Sequence, residues 1–305
     1  MRVIITGGTG LIGKVLVELL APQGYEIIVL SRQPFQAAQQ FKQQGLSNIR
    51  TIGWDAQTAE GWGELVCDEC AIVNLAGATP AHWRWTPAYK ARILESRLRA
   101  GKAVMQAIER YGPPKVLIQA SAAGYYGDRG QELLTETSAA GRGFRAEVCK
   151  VWETSTACVK TRHCILRTGF VLDRHKGVFP LLLLFAKLCG SRLGNGKQWM
   201  PWIHKEDIAR TIQFLIENRM LSGPFNLCAP QVVTNRDFIR LVQRVLKLFP
   251  LFPLPEFALR LLLGELSTVV LDSLRLLPQR LLEAKFVFNY PQLEQALRHL
   301  LQEEI

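Results

Sequence analysis

The 305-residue sequence has no run of about 18 consecutive apolar residues, the length a membrane-spanning helix needs. Its most apolar short stretch, Leu181 to Phe185, meets Lys187 within about one helical turn. No charged, apolar leader precedes the first predicted strand, which starts at Arg2. No membrane span is therefore expected, and a cytoplasmic setting is. The chain also lacks a dense lysine or arginine run and an aromatic–basic RNA signature. Its formal net charge of +11 thus does not point to nucleic acid. General solvation plus a phosphate-bearing small molecule accounts for it better. Histidines are few and scattered, with no H-x-x-x-H pair, so no metal site is expected. Cys67 and Cys70 form a C-x-x-C pair without a second pair at zinc spacing and without a thioredoxin-like context, which leaves reduced thiols. Internal repeats and low-complexity tracts are absent, and 48% hydrophobic with 21% charged residues excludes a disordered chain.

What is present is alternation. Short β-branched runs at Arg2 to Thr6, Tyr25 to Leu30, Ile49 to Ile52, Ala71 to Leu75 and Val116 to Ala120 read as buried strands. Helical patterns separate them, notably Leu11 to Leu20 and Ala88 to Arg110. Further on, a helix is expected over Ala146 to Lys160, a strand over Cys164 to Arg167, a glycine-rich loop at Gly190 to Gly196, a helix over Asp207 to Glu217 and a strand at Phe225 to Leu227. This order predicts an α/β fold: a doubly wound parallel sheet of Rossmann type with a smaller, mainly helical C-terminal lobe. The expected division is 1–230 for the Rossmann domain and 231–305 for the substrate-side helical domain. Segments after about residue 171 also contribute to the substrate lobe.

T-G-G-T-G-L-I-G runs from Thr6 to Gly13, between the first strand and an amphipathic helix. Gly7 allows the tight turn, Gly10 lets a pyrophosphate approach the backbone, and Gly13 lets helix pack on strand. The amides that open the helix, including those of Leu11 and Ile12, then face the phosphates. A carboxylate commonly ends the second strand to hold a ribose 2′-hydroxyl, but here Ser31 and Arg32 stand there. Nothing at that tip repels a 2′-phosphate, and a guanidinium can bind one, so NADP(H) is the expected cofactor.

Several further blocks accompany this loop: W-D at Trp54 and Asp55, N-L-A-G at Asn74 to Gly77, R-W-T at Arg84 to Thr86, and S-R at Ser96 and Arg97. Then come S-A-A-G-Y-Y-G-D-R-G from Ser121, A-E-V-C-K-x-W-E from Ala146, L-R-T-G from Leu166, and G-x-G-x-Q-W-M-x-W-I-H-x-x-D from Gly194. Together they resemble the atypical extended short-chain dehydrogenases/reductases, the "epimerase family protein" group, over nearly the whole chain. The resemblance implies that Trp54 and Asp55 lie near the adenine and that Asn74, Leu75, Ala76 and Gly77 line the ribose and phosphates through their backbone. The alternative for Asp55 is a strand-ending turn cap.

The resemblance also raises a difficulty. Ordinary members carry Ser/Thr, Tyr and Lys, with Tyr and Lys one helical turn apart as Y-x-x-x-K. Here Lys150 aligns with the lysine, but Ala146 stands in the tyrosine position and Ala122 in the hydroxyl position. Tyr125 and Tyr126 are the candidate substitutes, and Lys150 keeps a ribose-binding role, the alternative being a solvent-facing helix lysine. Ser121 is a partner for the carboxamide, and Cys149 is a more remote proton donor. Packing explains the tyrosines and the thiol as well. Trp199 and Trp202 either wall the substrate or pin the second lobe, and Arg97 either meets a cofactor phosphate or belongs to an ion pair. His204 reads as packing and Asp207 as complementing a helix start. Two functions follow: an NADP(H)-dependent oxidoreductase or epimerase-like enzyme with non-standard acid/base groups and an unnamed small substrate, or a non-catalytic NADP(H)-binding redox sensor or regulatory module.

Overall fold

Val3, Ile4 and Ile5 of the first strand, β1 (Arg2–Thr6), are wholly buried, as expected when helices cover both faces of a parallel sheet. The computed structural model describes residues 1–80, 84–188, 192–249 and 253–302. Six more strands extend the sheet: β2 (Glu26–Ser31), β3 (Arg50–Gly53), β4 (Cys70–Asn74), β5 (Val116–Ala122), β6 (His163–Thr168) and β7 (Gly223–Leu227). All pairings are parallel, in the order β7-β6-β5-β4-β1-β2-β3. The chain winds outward from β1 to β3, returns to β4, and winds the other way. The reversal opens a crevice at the carboxyl ends of β1 and β4, where such sheets take their ligands.

Side chains alternate across the sheet. On one face Val3, Ile5, Val29 and Val73 meet Leu16, Val17 and Leu20 of α1 (Leu11–Leu20), together with Ile208 and Ile212 from the helix Lys205–Glu217. On the other, Ile4, Ile28, Ile72 and Leu117 meet Ala100, Ala103, Val104 and Ala107 from the long helix Pro87–Tyr111. Those small residues let the helix lie close to the strands. The remaining helices that matter here are α2 (Pro34–Gln43), α4 (Phe144–Thr154), α5 (Phe179–Leu188), α7 (Asn235–Val245) and α8 (Glu256–Leu263); Pro87–Tyr111 is α3 and Lys205–Glu217 is α6.

A separate core gathers Leu182 and Ala186 of α5, Phe238 and Val242 of α7, Leu259 and Leu263 of α8, and Leu293 and Leu297 of the last helix, Leu293–Gln302. Leu281, Phe286 and Phe288 instead pack into the first core beside α6. The seven-stranded sheet and the helical C-terminal region follow the expected architecture.

One helix differs from its expected span. α4 starts two residues earlier than Ala146 and stops at Thr154. There Thr154 Oγ1 donates to Lys150 O and Ser155 Oγ to Trp152 O, hydroxyl bonds that compete with continued helix. Of the glycine-rich loop at 190–196, residues 190 and 191 lie outside the described residues. The rest is a turn with Gly194 and Gly196 at positive φ.

Candidate functional site

A buried polar clasp closes the carboxyl edge of the central strands. Thr6 Oγ1 donates to Asn74 Oδ1 (2.7 Å) and accepts from the amides of Leu75 (3.1 Å) and Ala76 (3.2 Å). Asn74 Nδ2 donates to Gln119 Oε1 (2.9 Å), and none of the three side chains reaches solvent. Asn74 therefore positions the chain that follows it rather than facing a ligand. Leu75, Ala76 and Gly77 form part of the crevice wall itself.

The glycine loop lies opposite. Gly7 takes φ +68°, and a Cβ there would come within 2.9 Å of Leu75 O. A Cβ at Gly13 would lie 2.5 Å from Gly7 O and from Gly8 Cα, so α1 can pack this closely only through glycine. Gly10 is different: a Cβ would meet Gly7 O at 3.1 Å and nothing else, because its outer side is open crevice. Gly10 also caps α1 without any side-chain hydrogen bond, leaving the first amides of the helix for a ligand. The backbone thus fits a diphosphate.

The crevice has a volume of about 1040 Å³. Ser31, Arg32, Trp54 and Asp55 line it along with Gly7 and Gly10. Arg32 is exposed and makes no ion pair among the described residues. Trp54 is buried, with Nε1 donating to Thr58 O (2.8 Å). Asp55 caps its own turn: Oδ1 accepts from the amides of Gln57 (2.8 Å) and Thr58 (2.9 Å). Ser96 of the S-R block lines the crevice, and so do Arg92 and Arg99 of α3, which the sequence reading does not single out although Ala88, Ala91, Glu95 and Arg99 repeat at helical spacing. Arg99 pairs with Glu95 (2.8 Å).

Beyond Leu11 and Ile12 lies a second cavity of about 310 Å³. Its walls are mainly apolar, among them Trp85, Phe144, Val148, Trp152 and Phe170, and Trp85 meets Phe144 edge-on at 5.5 Å. Among its described lining residues there is no Asp, Glu, His, Lys or Tyr. Arg97, Arg145, Ser121 and Cys149 supply most of its polarity. Burial pushes the Cys149 thiol up, and it donates to Ala122 O (3.5 Å).

Three of the expected chemical groups are not at this cavity. On α4 the wall is made by Phe144, Arg145, Val148, Cys149 and Trp152, so Lys150 points away and is exposed. Tyr126 is wholly buried, donating to Asn226 Oδ1 (2.6 Å) and accepting from Arg167 Nη1 (3.1 Å). Burial pushes its phenol up to about 12 despite Arg167. Tyr125 lies under the Arg167 guanidinium, 3.5 Å from its ring centroid. Neither tyrosine lines the crevice or the second cavity. Ser121 does line the cavity, and its hydroxyl donates to Glu153 Oε1 (2.7 Å), which leaves its lone pairs for a donor on a ligand. Glu153 is held in turn by a two-point pair with Arg167 (3.0 Å each).

Trp199 and Trp202 line neither cavity. Trp202 Nε1 donates to Gln231 O (3.0 Å) and Trp199 Nε1 to Gln131 Oε1 (2.8 Å), so both pin segments together. His204, rather than Asp207, caps α6, accepting from Glu206 N at Nδ1 (3.2 Å). Buried Asp207 accepts from the amides of Asn289 (2.8 Å) and Tyr290 (2.9 Å). His204, Glu206 and His299 lie close enough to suggest a metal. The cap requires a lone pair on His204 Nδ1, which puts the proton on Nε2, facing His299 Nδ1 at 3.2 Å. A protonated nitrogen is no ligand, and the donor set does not suit a metal.

A family model described as the NAD dependent epimerase/dehydratase family matches residues 3–147. The epimerase family protein YfhF of Bacillus subtilis is 36% identical over 307 residues, covering 99% of this chain and 98% of that protein. The chain belongs to the epimerase family. A second epimerase family protein, the chloroplastic SDR39U1 homolog of Arabidopsis thaliana, is 35% identical over 308 residues, covering 99% and 87%. A crystal structure of human epimerase family protein SDR39U1 (isoform2) with NADPH has a TM-score of 0.88 at 29% identity, covering 99% of this chain and all of that one. A model described as a domain of unknown function (DUF1731) matches residues 254–300, the helical end of this epimerase family chain. No described helix is long and apolar enough to cross a membrane.

Proposed function

We propose that the chain binds NADP(H) across the carboxyl edge of its sheet and acts as an oxidoreductase on a small, largely apolar molecule. The observation that carries the cofactor choice is the unpaired Arg32 at the tip of β2, in a crevice wall shared with Ser31 and Arg92. The uncapped start of α1 and the open side of Gly10 support the diphosphate. NADPH in the crystal structure of the human relative agrees with this reading. When bound, the nicotinamide supplies hydride. Ser121, with its own proton engaged by Glu153, accepts from the carboxamide and orients the ring. The apolar second cavity argues against a sugar, whose hydroxyls would be buried without partners.

The same cavity offers no ordinary acid or base among its described residues, which restricts turnover to acceptors that take their proton from water. That feature also favours the second reading, a non-catalytic NADP(H)-binding module. Calorimetric titration with NADPH and NADH tests the cofactor. NADPH oxidation with a panel of quinones, enones and aldehydes separates the two functions. Tight NADPH binding without turnover on any of them selects the module, and no binding of either nucleotide rejects both.

A further inference from the structure

α4 sends two polar side chains, Arg145 and Cys149, to the second cavity. Being four residues apart, they lie one turn from each other on one face of the helix. This is the Y-x-x-x-K spacing displaced by one residue from Ala146 and Lys150, with an arginine in the first of the two wall positions. Arg145 is held by one edge only. Its Nη1 donates to Thr268 O (2.9 Å) and to Asp272 Oδ2 (3.1 Å), both from the C-terminal region. The ion pair is mostly buried and neutral overall, so it persists in apolar surroundings without a further counter-charge.

The other edge is open. Nε and Nη2 of Arg145 have no hydrogen-bond partner among the described residues, and neither atom is sealed from open space. Gly124, another residue of the cavity wall, lies beside them: a Cβ there would come within 3.3 Å of Nε and 3.6 Å of Nη2. The missing side chain leaves room next to two aligned N–H groups. A donor pair fixed in advance at an apolar space stabilises charge that appears there during a reaction.

We infer that the open edge of Arg145 receives the oxygen of a conjugated carbonyl compound, an enone or a quinone, and stabilises the negative charge that hydride addition places on it. The inference rests on the hydride-transfer reading above. The ligand accepts a hydride at its conjugated carbon, where a C–H bond forms, and the displaced π pair moves to oxygen. NADPH becomes NADP+, and the enolate or hydroquinone monoanion takes one proton from water. Arg145 is not the acid, because guanidinium groups keep their protons in proteins. The oxyanion must therefore last until water protonates it. A simple alkoxide is about as basic as hydroxide, the conjugate base of water with a pKa of ~15.7. A phenolate-like oxyanion corresponds to a pKa of only about 10. Two charge-assisted hydrogen bonds offset a fraction of that gap, which singles out conjugated acceptors over simple aldehydes.

Absorbance titration with 4-nitrophenol, whose phenolate is yellow and mimics the oxyanion, tests this with and without NADP+. Wild type is expected to raise the phenolate-to-phenol ratio of the bound probe about tenfold or more over that of the free probe. The double variant Arg145→Gln with Asp272→Asn removes the pair without leaving a buried unpaired charge, and should lose that preference. Arg145→Lys keeps the charge but not the fork and recovers part of it. Gly124→Ala fills the gap, keeps Arg145 and Asp272, and should weaken the phenolate about tenfold while NADPH affinity stays at the wild-type value. It carries the test if the double variant does not fold. A wild type that binds no phenolate, or a phenolate preference that survives every variant, overturns the inference. Reduction of simple aldehydes overturns the substrate class, and reduction of enones alone supports it. Calorimetry with NADPH on the same proteins bears on the nucleotide reading, whereas the difference between proteins in phenolate preference bears on Arg145.

Discussion

Replacing Gly10 and Gly13 separately with alanine should divide binding from stability within one helical turn. At Gly13 the new methyl would start 2.5 Å from Gly7 O and Gly8 Cα, both backbone atoms. Ordinary carbon contacts are roughly 3.5–4.0 Å, so α1 must move by about 1 Å. That shift disturbs Leu16, Val17 and Leu20, all with no exposed surface. Overpacking of this kind costs about 1–3 kcal/mol, and the better helix propensity of alanine returns up to ~1 kcal/mol. The net loss of about 1–2 kcal/mol lowers the melting temperature of a chain of 305 residues by roughly 1.5–3 °C. At Gly10, φ −73° and ψ 179° suit alanine, and the only neighbour is Gly7 O at 3.1 Å. Weaker capping and reduced unfolded-state entropy roughly cancel there. Gly10→Ala should therefore melt like the wild type while its methyl blocks the diphosphate, a loss of about tenfold or more in NADPH affinity, or about 1.4 kcal/mol. Thermal melting followed by calorimetric titration reads both quantities on the same preparation. A folded Gly10→Ala protein with wild-type NADPH affinity would refute the assignment of this loop to the phosphates.

Arg32→Ala should weaken NADPH by about tenfold or more and leave NADH almost unchanged, because only the former carries a 2′-phosphate; equal losses for both in a fluorescence titration would reject the assignment. Tyr126→Phe removes the hydroxyl shared by Asn226 and Arg167, and should cost about 1–3 kcal/mol in denaturant unfolding without changing NADPH affinity. A variant of full stability but no turnover would instead return Tyr126 to the chemistry. Burial depresses His204 to about 3 and His163 to about 4, against 6.5 when unfolded. The unfolded chain then binds more protons below pH 6.5, so stability falls as pH falls toward those values, by up to ~1.4 kcal/mol per pH unit for each histidine. Buried Asp207, Glu136 and Asp272, raised by burial, work in the opposite sense, so the clean reading is a difference. His204→Asn should lose less stability than the wild type between pH 6.5 and 4.5, and parallel curves would contradict the burial argument.

Local chemistry was legible where a segment carries its own context. The run from Arg2 to Leu20 specifies strand, turn and helix without outside help, and the long α3 follows from its apolar period. The cleft side of α4 was not legible. Ala146, Val148, Cys149 and Trp152 share one buried face, but Arg145 and Glu153 fall on that face too, so polarity in the sequence does not mark its edge. A shift of one residue, about 100° around the axis, separates Cys149 on the wall from Lys150 in solvent. Tyr126 looked available because its partner, Asn226 on β7, is 100 residues away and no sequence spacing announces it. Arg92 and Arg99 were readable in principle, since they share a helical face with Ala88 and Glu95.

The carboxylate of Asp207 gives the far end of the chain a mechanical duty. It clips Asn289 and Tyr290 to the start of α6, and α6 is the buttress directly behind α1. A chain cut short before residue 289 would strip that buried anion of two donors, a penalty of several kcal/mol levied on the helix that supports the phosphate loop. Distance along the sequence therefore misleads: the tail is a fastener for the opening turn.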